Sequence, residues 1–342
     1  MKEFAYDRAH DIPTALALLA RDPDARYLGG GTNLVDLMKS GVERPARLVD
    51  VRGLPLDRID RAPDGSLRIG ATVTNSDLAA HPDVRRGWPA LTQAVLAGAS
   101  GQLRNMATVG GNLLQRTRCA YFTDLASPCN RRAPGSGCPA VTGEHRNHAI
   151  LGASAHCVAV HPSDMAVALT AFDAVVTYET EDGPGETPLA DLYPPVGDTP
   201  HRETALPPGA LITGVTLPPA PVAARSRYRK VRERASYAFA IGSVAAALDV
   251  SDGRVRDVRL AFGAVASRPW RARTAERALI GGPATPAAFT RAAAAELAAA
   301  TPLRDNAYKV PLVRNLVTAL LIELAGPTTA TESAGPTEGA AR

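Results

Sequence analysis

Long apolar runs are what this sequence most clearly lacks. No stretch approaches the roughly 18 uninterrupted apolar residues of a membrane-spanning helix, so we expect no membrane span. The amino-terminal region, MKEFAYDRAHDIPTALALLARD, contains acidic residues and no apolar core of the kind found in signal peptides. Without a signal peptide, cysteines cannot be assumed to form disulfides.

Aromatic residues and concentrated positive charge are also scarce. Aromatics make up 5% of the chain, which argues against a surface on which bases stack. The net charge is only +4 and the Lys and Arg residues are scattered, whereas nucleic-acid-binding proteins typically carry a basic patch. We therefore expect no nucleic-acid partner.

What is present is enough chain for more than one hydrophobic core. The 342 residues are 45% hydrophobic and 21% charged, which is typical of a globular protein with two or three domains. The pattern predicts a first subdomain over 1–55, a second over 56–220 with an inserted loop at about 115–160, and a third unit over 221–325. The composition of 326–342 predicts a disordered tail.

The order of the predicted elements indicates an α+β fold. A strand at 25–28, a glycine turn, a helix at 34–39 and a strand at 47–51 form a β–turn–α–β unit. The stretch 183–210 is rich in proline and glycine and predicts a long surface connection. Beyond residue 221, three strands followed by three helices predict an antiparallel sheet with helices packed on one face.

Two glycine turns are candidate phosphate sites. One is Gly29 to Leu34 (GGGTNL) and the other is Thr108 to Asn112 (TVGGN). Backbone N–H groups exposed in such turns suit a pyrophosphate, but neither turn matches GxGxxG or a P-loop, so a plain tight turn explains either one equally well. Two turns in one domain favour phosphate binding, because a diphosphate can be held from two sides.

All four cysteines lie in the predicted insertion, with the spacing Cys-x9-Cys-x8-Cys-x18-Cys. This spacing lacks the CxxC pairs of zinc fingers and the short runs of bacterial ferredoxins. The loop is too rich in Pro, Gly, Asn and Arg to bury a core, so a cross-link or metal centre is expected to hold it. An iron–sulfur cluster, a zinc site and two disulfides are comparable explanations at this point. A mixed site would add nearby histidines: His145, His148, His156 and His161.

To about residue 325 the chain resembles the FAD-binding subunits of the xanthine dehydrogenase family of molybdenum hydroxylases. The resemblance rests on LGGGTNLVDLMKSG, ATVGGNL, HPSDM, LITGVTLP and YRKVRERASYAFA, in this order. The cysteine-bearing run is similar to the flavin subunits of three-subunit aldehyde oxidoreductases and of 4-hydroxybenzoyl-CoA reductase, which are recognised as [4Fe-4S] proteins. The resemblance therefore implies FAD and a [4Fe-4S] cluster ligated by Cys119, Cys129, Cys138 and Cys157.

The same resemblance implies a set of FAD contacts and a two-part α/β FAD-binding domain followed by a carboxy-terminal α+β domain. Asp164 is the expected acidic contact, and Ile212 and Lys230 are expected at the flavin end. The full set is Arg26, Tyr27, Leu28, Gly29, Gly30, Gly31, Thr32, Asn33, Leu34, Thr108, Val109, Gly110, Gly111, Asn112, Asp164, Ile212 and Lys230. No residue of this chain is expected to be catalytic.

The implied function is electron transfer within a heterotrimeric, molybdenum-dependent aldehyde oxidoreductase. An aldehyde would be oxidised on a large molybdenum-cofactor subunit, and a small [2Fe-2S] subunit would pass electrons to FAD and then to an external acceptor. The resemblance implies a periplasmic complex, exported folded with a signal-bearing partner, or else a cytoplasmic one. Two different functions also fit the sequence: a related subunit acting on a purine or an aromatic CoA thioester, and a zinc-pinned binding module.

Overall fold

The computed structural model describes residues 1–326, so the predicted tail lies almost wholly outside the described residues. The strands are β1 Ala5–Arg8, β2 Ala25–Leu28, β3 Arg47–Asp50, β4 Ile59–Arg61, β5 Leu67–Gly70, β6 Val175–Thr180, β7 Gly183–Pro188, β8 Leu211–Leu217, β9 Ser226–Val231, β10 Gly242–Ser251, β11 Arg254–Gly263 and β12 Trp270–Arg271. The helices are α1 Ile12–Ala20, α2 Leu34–Lys39, α3 Asn75–Ala80, α4 Pro82–Gly87, α5 Pro89–Ala97, α6 Gly101–Met106, α7 Val109–Leu113, α8 Ala120–Thr123, α9 Asp164–Ala171, α10 Leu189–Leu192, α11 Arg273–Leu279, α12 Pro286–Leu297 and α13 Lys309–Ala325.

The amino-terminal sheet is parallel, with the strand order β1-β3-β2. Parallel neighbours need a crossover, and α2 provides it between β2 and β3. Ala15 and Leu18 of α1 pack with Val49 of β3 in a small core. Strand β2 ends immediately before Gly29, so the predicted β–turn–α–β unit is confirmed and the first glycine turn lies at the carboxyl end of a parallel strand.

A five-stranded antiparallel sheet, β4-β5-β8-β6-β7, forms the centre of the molecule. Its buried residues, such as Ile69 and Val215, share a core with Leu91 of α5 and Leu169 of α9. The predicted surface connection at 183–210 was partly wrong, because it contains β7 and α10. Backbone pairing of β7 with β6 stabilises this glycine- and proline-rich segment, and such pairing leaves little trace in side-chain pattern.

The carboxy-terminal sheet is antiparallel, in the order β12-β11-β10-β9. Alternate residues of β10 face opposite cores: Val244 and Leu248 pack with the carboxy-terminal helices, whereas Ala245 and Ala247 join the core of the central sheet. This unit is therefore packed firmly against α5 and α9, and the predicted sheet with helices on one face is confirmed. Across residues 1–326, no helix combines the length and apolarity that crossing a bilayer requires.

Candidate functional site

The two glycine turns contact each other directly. A Cβ on Gly30 would lie 1.7 Å from the carbonyl oxygen of Met106, and one on Gly29 would lie 2.7 Å from Oγ1 of Thr108. Since a side chain on Gly29 would collide with the second turn and one on Gly30 with the end of α6 just before it, these glycines allow the close approach of the two segments. The two turns that the sequence predicts to act together are thus in direct contact in the fold.

Gly111 is different, because the fold itself makes little demand for a glycine there. A Cβ on Gly111 would meet only the Oγ1 of Thr108, at 3.0 Å. The predicted second turn is in fact the start of the short helix α7, whose N-cap Thr108 accepts a hydrogen bond from the Gly111 amide at 3.2 Å. Gly111 faces two cavities, so ligand space is the better explanation for this glycine.

Two cavities meet at the glycine turns, with volumes of about 570 Å³ and about 300 Å³. The first cavity lies between the turns and the carboxy-terminal unit, and its wall carries Asp164, Lys230, Arg118 and the segment around Tyr237. The second cavity is mainly apolar on one side, where Leu37, Val51, Leu56, Leu211 and Ile212 line it. The residues common to both cavities are Gly31, Thr32, Asn33 and Gly111.

Three buried polar atoms on these walls have no hydrogen-bond partner within residues 1–326: Nδ2 of Asn33, Oγ1 of Thr72 and Oδ1 of Asn75. Buried polar groups in proteins are normally satisfied, so three such atoms around one joined space indicate a polar ligand. The continuous space, the glycine turns and the unsatisfied polar atoms together fit a dinucleotide.

The predicted FAD contacts divide between the two cavities. The second cavity is lined by Arg26, Tyr27, Gly29, Gly30, Leu34, Thr108, Gly110 and Ile212. The first is lined by Asn112, Asp164 and Lys230, and the predicted contacts Leu28 and Val109 line neither. Ile212 and Lys230 were expected at the same end of the flavin, but the structure places them in different cavities.

A buried ion pair lies on the wall of the first cavity. The Nζ of Lys230 is 2.7 Å from Oδ2 of Asp164, and the hydroxyl of Tyr228 donates to Oδ1 of Asp164 at 2.5 Å. Burial and the nearby carboxylate raise the pKa of Tyr228 well above its usual value, so this hydroxyl stays protonated. The positive charge of Lys230 is therefore offset within the protein.

All four cysteines line one small cavity together with Arg131. Each is a free thiol, so the disulfide explanation finds no support among the described residues. Cys138 and the guanidinium of Arg131 hydrogen-bond to Cys157 and lower the pKa of that thiol to about 5, with Nε of Arg131 at 3.3 Å from the sulfur. Cys119 lies 3.2 Å from Nε2 of His148. The environment thus favours a thiolate at Cys157.

The ligand chemistry of the cysteine cavity fits an iron–sulfur cluster. Within residues 1–326, no three His, Cys, Asp or Glu side chains lie close enough together to hold a single metal ion. Four cysteine thiolates are the ligand set of a [4Fe-4S] cluster, and all four cysteines line this one cavity. The cavity volume is about 10 Å³, roughly the space for one water, so these side chains would have to move outward around a cluster.

Charged side chains connect the cysteine cavity with the first glycine turn. Arg131 forms an ion pair with Glu203 at 3.1 Å, and Glu203 in turn accepts from Nε of Arg116 at 2.9 Å. Arg116 also pairs with Glu43, and its backbone amide donates to Oδ1 of Asn33 at 2.9 Å. Sequence reasoning noted arginines near the cysteines but missed Glu203, which lies in the predicted connection and carries no motif.

Two family models account for nearly the whole chain. The model described as the FAD binding domain in molybdopterin dehydrogenase matches residues 2–220. The model described as the CO dehydrogenase flavoprotein C-terminal domain matches residues 226–324. The chain belongs to the FAD-binding subunits of the xanthine dehydrogenase family of molybdenum enzymes.

Several known proteins are similar to this chain over most of its length and most of their own. The chain is 50% identical to the aldehyde oxidoreductase FAD-binding subunit PaoB of Escherichia coli over 94% of this chain and 98% of that protein. It is 26% identical to the glyceraldehyde dehydrogenase medium chain of Sulfolobus acidocaldarius over 82% of each. Among solved structures, a chain of the carbon monoxide dehydrogenase of Hydrogenophaga pseudoflava superposes with a TM-score of 0.72 and 25% identity, covering 93% of this chain and 96% of that one.

These comparisons confirm the predicted family, the fold class and the FAD cofactor. The chain is thus an FAD-dependent oxidoreductase subunit. The individual FAD contacts, the four cluster ligands and the domain boundaries stay predictions.

Proposed function

We propose that this xanthine dehydrogenase-family subunit binds both FAD and a [4Fe-4S] cluster, and transfers electrons within a heterotrimeric, molybdenum-dependent aldehyde oxidoreductase. The observation that carries the proposal is the gathering of all four cysteines around one cavity, in a chain 50% identical to an aldehyde oxidoreductase FAD-binding subunit.

We assign the two ends of FAD to the two cavities. The adenine would occupy the second cavity, because Leu56, Leu211 and Ile212 offer an apolar wall to a flat ring. The diphosphate would lie at the junction beside Gly31 and Gly111, which line both cavities. The isoalloxazine would then occupy the larger first cavity.

The chain's own residues would bind and orient the cofactor. Bound FAD supplies a redox centre, and the protein controls its position and its electrostatic surroundings. Asn33 and Asn75 each present an unpartnered polar atom toward the joined cavities. The Lys230–Asp164 pair fixes β9 against α9 and so holds the wall of the first cavity in place.

The cysteine loop would hold the cluster through Cys119, Cys129, Cys138 and Cys157. Arg131, which already donates to the sulfur of Cys157, would offset the negative charge that four thiolates bring. Glu203 orients Arg131 through its ion pair. These contacts link the loop to the rest of the protein.

We further propose the partners and the compartment. A large subunit with a molybdenum cofactor would oxidise the aldehyde to a carboxylic acid, and a small [2Fe-2S] subunit would deliver the electrons to this chain for an external acceptor. The complex would act in the periplasm after export in the folded state. Cell fractionation that recovers the assembled complex only from the cytoplasm would contradict this location.

The test is purification through an affinity tag on this chain from the cells that naturally produce it. We expect a three-subunit complex that oxidises aromatic and aliphatic aldehydes with an artificial electron acceptor. A complex active on purines or on aromatic CoA thioesters but inactive on aldehydes would replace the assigned substrate class. Recovery of this chain alone, with full activity, would contradict the electron-transfer role.

A further inference from the structure

The charged groups around the first cavity are not equivalent. Its wall carries four basic residues, Lys39, Arg118, Lys230 and Arg234, and two acidic ones, Asp36 and Asp164. Within residues 1–326, Lys230 and Asp164 are the two of these six residues that form an ion pair with each other. A pair at this distance presents little net charge to a neighbouring ligand, because the two fields largely cancel.

Lys230 is therefore a poor source of positive charge for the cavity. Its side chain is 3% exposed, and besides Asp164 its Nζ donates to the carbonyl oxygen of Ala97 at 3.2 Å. Both acceptors draw the ammonium toward the protein. The Lys230 side chain is thus satisfied without any ligand, which is the arrangement of a structural residue.

Arg118 has the opposite character. The contacts of its half-buried guanidinium are the carbonyl oxygen of Arg116, to which NH1 donates at 2.7 Å, and the ring of Phe239, whose centroid lies 5.0 Å from Cζ. No carboxylate of the described residues lies within ion-pair distance of it. Arg118 therefore brings to the wall of the first cavity a positive charge that no ion pair neutralises, and Asp36 on the same wall acts on it only from a longer distance.

We propose that Arg118, and not Lys230, supplies the positive charge that stabilises the reduced flavin anion in the first cavity. The inference rests on the proposed placement of the isoalloxazine there. Uptake of two electrons and one proton at N5 converts FAD to an anion whose charge is shared by N1 and the C2 oxygen. The electrons come from the iron–sulfur donors of the proposed complex. A nearby cation favours this product over oxidised FAD and raises the flavin potential.

Arg118 also connects the two proposed redox sites along the chain. It directly precedes Cys119, and its side chain reaches the first cavity while Cys119 lines the cysteine cavity. The same short segment would thus tune the flavin and ligate the cluster. A change at Arg118 is expected to act on the flavin, since its guanidinium lines the flavin cavity and not the cysteine cavity.

The experiment is a redox titration of the purified, FAD-loaded complex, followed by flavin absorbance, in wild type and three variants. Arg118→Met is expected to weaken the binding of reduced FAD about tenfold relative to that of oxidised FAD. This change lowers the two-electron potential of the flavin by about 30 mV. Arg118→Lys, which keeps the charge, is expected to stay near wild type. Arg234→Met is the matched control, because Arg234 lines the same cavity but is exposed and screened by water.

The pH dependence gives a second readout. When the reduced flavin is held as its anion, reduction takes up one proton per two electrons, and the midpoint potential falls accordingly as the pH rises. Without Arg118, the slope of the potential against pH is expected to approach that of two protons per two electrons at the acidic end of the pH range. An unchanged potential and slope in Arg118→Met, with full FAD content, would overturn the role of Arg118.

A fourth variant separates this inference from the placement of FAD. Ala238→Trp would fill part of the first cavity from a lining residue that belongs to neither glycine turn. Weaker FAD binding or an altered flavin potential in Ala238→Trp supports the placement. Unchanged FAD affinity and potential in that variant would show that the isoalloxazine lies elsewhere, and the assignment to Arg118 would fall with it.

Discussion

The Nζ of Lys230 lies 2.7 Å from Oδ2 of Asp164, and both side chains are almost completely buried. Lys230 belongs to β9 of the carboxy-terminal sheet and Asp164 begins α9 of the preceding unit, so this pair joins the two parts of the chain beside the first cavity. The first cavity therefore depends on a contact between the regions that the two family models match separately.

Removing one partner of this pair should destabilise the protein strongly. Lys230→Met leaves the carboxylate of Asp164 buried without its counter-ion, and we expect a loss of about 3–5 kcal/mol in the free energy of unfolding. The double variant Lys230→Met/Asp164→Asn removes both charges and should recover part of that loss. Urea unfolding of the four proteins of this cycle measures the coupling, and additive losses would contradict a direct interaction.

Gly111 should be required for FAD and dispensable for folding. The Cβ of a valine at this position would lie 3.0 Å from Oγ1 of Thr108, and the side chain would occupy the junction of the two cavities. We expect Gly111→Val to weaken FAD binding at least about tenfold, or about 1.4 kcal/mol, in a fluorescence titration of the apoprotein. Gly101→Val is the control, since a Cβ there meets nothing within 4 Å and the position lines neither cavity. Equal affinities would contradict the proposed position of the diphosphate.

Lys309 should make stability depend on pH in a recognisable way. The side chain is fully buried and donates to carbonyl oxygens of Asn147, His148 and Ala264, and burial lowers its pKa to about 7. Above this value the unfolded chain binds a proton that the folded chain does not, so stability rises with pH between about 7 and 10.

The expected slope for this single group is about 1.4 kcal/mol per pH unit. The free energies of unfolding of wild type and Lys309→Met at pH 7, 8 and 9 are the measurement. Their difference should grow in favour of wild type as the pH rises. A difference that is constant over this range would show that Lys309 keeps its proton in the fold.

Cys138→Ser should release cluster iron while leaving FAD in place. The hydroxyl is a much poorer ligand for iron than a thiolate, and the glycine turns lie outside the cysteine loop. We expect most of the iron to be lost and the FAD content to remain at the wild-type level, measured on anaerobically purified protein. Thr123→Ser, a conservative change in the same loop, serves as the control. Retention of full iron content in Cys138→Ser would remove this residue from the ligand set.

Short-range patterns made much of the fold and part of the site predictable. The strand at Ala25–Leu28 followed by three glycines, and the regular strands and helices beyond residue 221, follow from local periodicity and turn residues. The resemblance, which rests on whole motifs, supplied the FAD contacts and the expected cluster ligands. Neither source revealed that Ile212 and Lys230 line different cavities, because that depends on how distant segments pack.

The remaining features were hidden for the same reason. Arg131 and Glu203 form an ion pair although they are 72 positions apart in the sequence, and no motif marks either residue. That Arg118 has no ion-pair partner among the described residues becomes visible only when every neighbouring carboxylate has been located in space. Strand β7 was missed because pairing with β6, and not apolar alternation, holds its glycine- and proline-rich sequence extended.

The most direct test of the central claim is the cofactor content of this chain, purified anaerobically within its complex and then separated from its partners. The visible spectrum and metal analysis should give one FAD and about four iron atoms per chain, with flavin bands on a broad iron–sulfur absorption and no zinc. FAD without iron, or stoichiometric zinc in its place, would contradict the proposal that one subunit carries both redox centres.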